Sequence, residues 1–244
     1  MNQAPHLPTL PQPPARMLRT LSVTSFLLGA ALACGTSKPE PPKSPESLIR
    51  SRIVAHSRAD TRPDSFTLAA DRGRILGEAT APVWVVIVSD FQCRDCKQWN
   101  DDVFPLIKKE YVATGRVRMA FLNMPLPAHL NGMPTALVAA CASAQGKFWE
   151  THARIFDTQS QWADLPDARP YLDSLAIAAG ADAATQRLCS ERARGMKLIR
   201  QDVERLTTAG VDSLPTFFIG THKLLGPAPV ATFRATIDSA LAGK

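Results

Sequence analysis

The sequence predicts an α/β fold in which a βαβ half and a ββα half are separated by an inserted helical block. Three observations carry this reading. "VWVVIVS" and "RVRMAFLN" read as strands on either side of a helical stretch. The segment from about 127 to 208 has helical periodicity broken by Gly, Pro and Asp signals. Finally, "LPTFFIG", "HKLLG" and "PVATFRATIDSALAG" read as strand, strand and closing helix.

Taken in order, the chain begins with a targeting pattern. Arg16 and Arg19 precede an apolar run of 13 residues, Leu21 to Ala33. A bilayer-spanning helix needs about 20 residues, whereas this length suits the core of a signal peptide. Residues 1–33 are therefore expected to be an export signal, with Met17 as an alternative start. Ala31-Leu32-Ala33 fits ordinary release. Cys34, followed by Gly35, resembles the lipid-attachment cysteine of a bacterial lipoprotein, although Ala31 and Leu32 stand in the reverse of the usual order. The spacer "GTSKPEPPKSPES" is extended and solvated in character, which favours a tether. Residues 34–62 thus read as a lipid-attachment cysteine and Pro/Ser-rich linker, and 63–244 as the domain. Each of these readings puts the domain outside the cytoplasm.

Within the linker, Ser44 and Pro45 could open a short helix. "DSFTLAADRGRILGEATAP" reads as a strand or hairpin arm broken by Gly73 and Gly77. The β-branched run Val83 to Ser89 predicts a strand buried on both faces. From Arg94 to Thr114, Trp99, Val103, Leu106, Ile107 and Tyr111 recur at helical spacing. Pro105 should kink that helix and Gly115 close it. In the block, Phe148, Trp149 and Phe156 read as core, and His129 and His152 as surface or structural. The last two strands are joined so tightly that an antiparallel hairpin is expected.

Composition limits the function. With 244 residues, 45% hydrophobic and 20% charged, the chain can form one domain with a substantial core. The net charge of +6 is spread among acidic residues, as in "KLIRQDVER", and reads as a solvated surface rather than a nucleic-acid face.

Chemistry is concentrated at Cys93 and Cys96, where a strand meets a helix. Unpaired N–H groups and the helix dipole favour negative charge there, so the Cys93 thiol should be acidic and reactive. Cys96, one turn on, could close a small ring with it. Arg94 should stabilise the thiolate and Asp95 oppose it. A zinc site would need four ligands, and His56, His129, His152 and His222 are scattered. A staple within one helical turn would stabilise little. A redox couple is the stronger reading. Cys141 and Cys189 bring the exported domain to four cysteines, and sequence spacing does not choose among the three pairings.

The strand followed by "SDFQCxxCK", the segment "QGKFWETHARIF" and the stretch "SLPTFFIG" resemble the DsbA-like branch of the thioredoxin superfamily, from about Pro63 to Leu241. The resemblance implies a thioredoxin fold with a helical insertion. It implies that Pro215 is cis and faces the cysteine pair, and that Leu214 offers its backbone to the substrate chain, where many relatives have Thr or Val. It also implies a buried disulfide between Cys141 and Cys189, against the alternative of two free buried thiols. Strongly oxidising relatives often have Pro-His between the cysteines. Arg94-Asp95 in that place implies a potential between the roughly −270 mV of thioredoxin and −120 mV of DsbA.

The implied activity is thiol-disulfide exchange with envelope proteins at the periplasm or outer face of a bacterial membrane, in the oxidising direction. A reductase or isomerase of the same fold is one alternative; a non-catalytic binding module or metallochaperone is another. The Cys93–Cys96 disulfide would serve without an organic cofactor, a membrane redox partner would reset it, and no nucleic acid is involved.

Overall fold

A computed structural model describes residues 64–243. The signal segment, Cys34 and the Ser44 cap lie outside the described residues. A helix α1 (Ser65–Gly73) leads into a two-residue strand β1 (Ile75–Leu76) and then β2 (Val83–Ser89). After β2 come α2 (Arg94–Asp102), α3 (Phe104–Ile107), a π-helical turn (Lys108–Val112) and β3 (Val117–Asn123). The helical block contains α4 (Gly132–Ser143), α5 (Phe148–Asp157), α6 (Gln159–Trp162), α7 (Arg169–Ala178), α8 (Ala183–Glu191) and α9 (Met196–Thr208). The chain then returns to the sheet through β4 (Thr216–Ile219), β5 (His222–Leu225) and α10 (Val230–Ala242).

The sheet order is β1-β3-β2-β4-β5. β2 runs parallel to β3 from Val83 opposite Val117 to Ser89 opposite Asn123. It runs antiparallel to β4, with Val88 opposite Thr216, and β4 forms the expected antiparallel hairpin with β5. Side chains alternate across a strand. Val83, Val85, Ile87, Val117, Met119, Phe121, Phe217 and Ile219 therefore enter the main core together, with Trp99, Phe148, Phe156 and Phe233. The opposite parity, Val86, Val88, Leu122 and Phe218, meets Leu206 of α9 and Val211.

That second face is only partly covered, which corrects the expectation that β2 is buried on both sides. Trp84 remains 38% exposed, with the Arg118 guanidinium 4.6 Å from its ring centroid. Residues 65–73 also differ from expectation, being helix instead of strand. Asp64 caps them by accepting the Thr67 N–H at 2.7 Å. Gly73 is needed for packing, since a Cβ there would lie 2.2 Å from the Ser143 carbonyl oxygen. The predicted kinked helix is three pieces, divided at Val103. Pro105 sits at the start of α3, where its missing N–H is tolerated.

The most buried helix of the block is α4, whose residues from Thr135 to Ser143 are all buried. A disulfide joins Cys141 of α4 to Cys189 of α8, among Ala136, Leu137 and Ile199. With the bonded cysteines 48 positions apart, the chain-entropy model gives about 4 kcal/mol of stabilisation. A buried ion pair adds a second tie. Asp202 of α9 accepts from both terminal nitrogens of Arg74, one at 2.9 Å, and from the Asn123 N–H at 3.1 Å. One carboxylate thus links α9, the α1–β1 junction and the end of β3.

Candidate active site

β2 ends at Ser89, and Asp90 through Gln92 turn the chain into α2. Cys93 is the N-cap of α2, in extended conformation, with Sγ accepting the Cys96 N–H at 3.4 Å. Its own N–H donates to the Asp90 carbonyl at 3.1 Å. Both thiols are free. Cys93 is 9% exposed and Cys96 1%, so only Cys93 meets the cleft in front of the helix.

The two sulfurs are placed to titrate very differently. A hydrogen bond from the Cys96 thiol, opposed by burial and helped by the N–H groups of Cys96 and Asp95, brings the Cys93 thiol down to about 7. Burial first, then the neighbouring Cys93, pushes Cys96 well above the ordinary thiol range. The Asp90 charge raises Cys93. The opposing carboxylate is therefore Asp90, and Asp95 acts through its backbone instead. The side chains of Arg94 and Asp95 are exposed. Iodoacetamide should accordingly alkylate the reduced protein once, at Cys93, with a rate that rises through a midpoint near pH 7. Peptide mass mapping across pH 5 to 9 checks this. Because the folded value is depressed, the thiolate's stabilisation of the reduced fold is complete above the ordinary thiol value and fades as pH falls through about 7.

The Leu214–Pro215 peptide is cis. It directly precedes Thr216, which lies opposite Val88 near the end of β2. The strand register thus puts Pro215 at the same end of the sheet as the cysteines. Antiparallel pairing of β4 with β2 joins residues more than 120 positions apart in the chain.

A match to the thioredoxin family covers residues 69–239. The chain belongs to this family. Disulfide bond formation protein D of Bacillus subtilis is 25% identical over 179 residues, covering 70% of this chain and 78% of that protein. The solved structure of oxidised BdbD from Bacillus subtilis matches with a TM-score of 0.65 at 24% identity, covering 70% of this chain and 95% of that one. The Na(+)/H(+) antiporter NhaA 3 of Salinispora tropica is 31% identical over 173 residues, and the chain spans only 25% of its length. Together these show the thioredoxin family, and the chain is similar to a disulfide bond formation protein.

In this thioredoxin-family chain the helical block reaches back to the cysteine loop through polar side chains that no motif announced. Gln159 Nε2 donates to the carbonyls of Phe91 at 2.7 Å and Cys93 at 3.1 Å. Gln92 donates to the Ala163 carbonyl at 2.9 Å and accepts the Asn131 N–H at 2.7 Å. The Asn131 amide in turn donates to the carbonyls of Ala163 and Leu165. These bonds satisfy loop carbonyls that would otherwise be buried without partners, and they hold the cleft wall in register with Cys93. His129, read from sequence as surface or structural, lies in that wall with Asp90 as partner. His152 is enclosed by Phe91, Phe121, Phe148 and Phe156. Burial, with a smaller effect of Lys108, pulls it down to about 3, so it packs as a neutral ring.

Proposed function

We propose that the chain is an exported thiol-disulfide oxidoreductase that exchanges disulfides with proteins of the bacterial envelope. Cys93 is the exchanging sulfur and Cys96 its internal partner. The observation that carries this is the asymmetry of the pair: one accessible thiol held near 7 at a helix N-terminus, and one enclosed thiol held protonated. A nucleophile and a protected resolving group are what exchange through a mixed disulfide requires. No organic cofactor enters, because the electrons reside on sulfur, and a membrane redox partner would reset the couple.

The oxidising direction is supported by the relative named for disulfide bond formation. A Cys93 near 7 stabilises the reduced form less than the roughly 3.5 of DsbA does, so an intermediate potential is expected. The targeting pattern of residues 1–33 and Cys34 support export and lipid attachment on the outer face of the membrane. Leu214 and Pro215 would bind the substrate backbone beside the couple.

Equilibration against glutathione buffers, read by thiol alkylation and mass spectrometry, tests the reading. The Cys93–Cys96 disulfide should form with a potential between about −270 and −120 mV. A value at the reducing end turns the assignment toward a reductase. Failure to form the bond at any buffer ratio leaves a binding module.

A further inference from the structure

The cleft in front of Cys93 has a volume of about 560 Å³ and includes Arg94, Asp95, Leu126, His129, Gln159 and Asp164 in its lining. His129 is unusual among these, because its side chain is fixed from behind by a buried carboxylate. Asp90 is fully buried and His129 is 25% exposed. Asp90 Oδ1 accepts the Gln92 N–H at 2.8 Å. Its Oδ2 accepts the Leu126 N–H at 2.8 Å and lies 2.7 Å from His129 Nδ1.

A buried carboxylate that takes two backbone N–H groups acts as an acceptor, so Nδ1 of His129 is the donor in this pair. The tautomer is thereby set, and Nε2 is left with a lone pair on a ring that lines the cleft. Space for the pair is created by Gly132, the first residue of α4. A Cβ there would come within 2.9 Å of Asp90 Oδ2 and 3.2 Å of the His129 Cβ.

We propose that His129 is the proton acceptor for substrate thiols at this site, with Asp90 as its positioning residue. The inference rests on Cys93 being the exchanging sulfur. Nε2 takes the proton of an incoming thiol. The resulting thiolate bonds to Cys93 Sγ as the Cys93–Cys96 bond breaks, and the electron pair leaves on Cys96, which takes a proton from water. The imidazolium returns its proton to water. A second substrate thiolate attacks the first substrate sulfur, forms the product disulfide and releases Cys93 as a thiolate. Two thiols are oxidised and one enzyme disulfide is reduced. The charged groups around the ring are Asp90 behind it, Arg94 and Asp95 at the head of α2, and Asp164 on the block, with Cys93 across the cleft.

The advantage has a ceiling. A thiol of pKa about 8.5 is only a few percent ionised at pH 7, so full deprotonation gains at most about 30-fold. The test uses the oxidised protein at pH 7 and two reductants, glutathione, which is mostly protonated, and an aryl thiol such as thionitrobenzoate, which is already ionised. His129→Gln should slow exchange with glutathione about tenfold more than exchange with the aryl thiol. His129→Asn is measured alongside, with thermal unfolding to verify that each variant folds. Equal slowing with both thiols assigns the ring a purely structural role and overturns the proposal, as does no slowing with either. A parent protein that exchanges with neither thiol overturns the reading of Cys93 itself, a result distinct from the other two.

Discussion

Cys96→Ser is expected to accumulate mixed disulfides between Cys93 and envelope proteins, whereas Cys93→Ser should accumulate none and lose exchange to background. The difference follows from the geometry at the head of α2. Cys93 is the sulfur at the cleft and is held near 7, so it meets the substrate. Cys96 is 1% exposed and held protonated, so it reaches only the bond that Cys93 has formed. Removing Cys96 leaves that bond without an internal route to resolution. Removing Cys93 leaves an enclosed thiol that a protein substrate cannot approach. Non-reducing gels followed by mass spectrometry of the trapped species measure this directly. Trapping by both variants, or by neither, would overturn the roles assigned to the two sulfurs.

Asp202→Ala is expected to destabilise the fold by about 3–5 kcal/mol, because it leaves a buried guanidinium with only the half-exposed Asp71 as counter-charge. Arg74 is 2% exposed and Asp202 is fully buried. Burial alone would lower the Arg74 pKa, and the Asp202 and Asp71 carboxylates together outweigh it. Truncating the carboxylate also deprives the Asn123 N–H of its acceptor. Asp71, half exposed, is the remaining partner of Arg74. Replacing both members, as Arg74→Leu with Asp202→Leu, should cost less than the single change. It removes the buried charge and leaves mainly the Asn123 N–H unmet, at about 1–3 kcal/mol. Urea unfolding of the three proteins, read by tryptophan fluorescence, distinguishes these values. A double variant no more stable than Asp202→Ala would place the energy in packing instead of charge.

Much of the frame was legible because it is periodic. The strand at Val83–Ser89, the alternating strand before Asn123 and the hairpin after Pro215 follow from side-chain pattern and turn length, and the structure has all three. The helix at 65–73 was not legible, since Ser65, Thr67 and two glycines nearby favour neither state by propensity. Its helical state is fixed by the Asp64 cap and by close packing of Gly73 against α4. The break in the 94–114 helix was legible from Pro105, which the structure places in the first turn of α3, so that the division falls at Val103.

The site divides in the same way. Adjacent chemistry can be read along the chain, and so the two-residue interval between Cys93 and Cys96, at a strand-to-helix junction, pointed to the proposed exchanging pair and its polarity. Tertiary structure alone decided that Asp90 and not Asp95 opposes the thiolate, that His129 stands in the cleft, and that Gln92, Asn131 and Gln159 bind the block to the loop. Apart from Asp90 and Cys93, those partners lie tens of residues apart and obey no spacing rule. Single polar side chains make such contacts through long-range closure of the fold, and a charge acts through distance in space, which sequence order does not record.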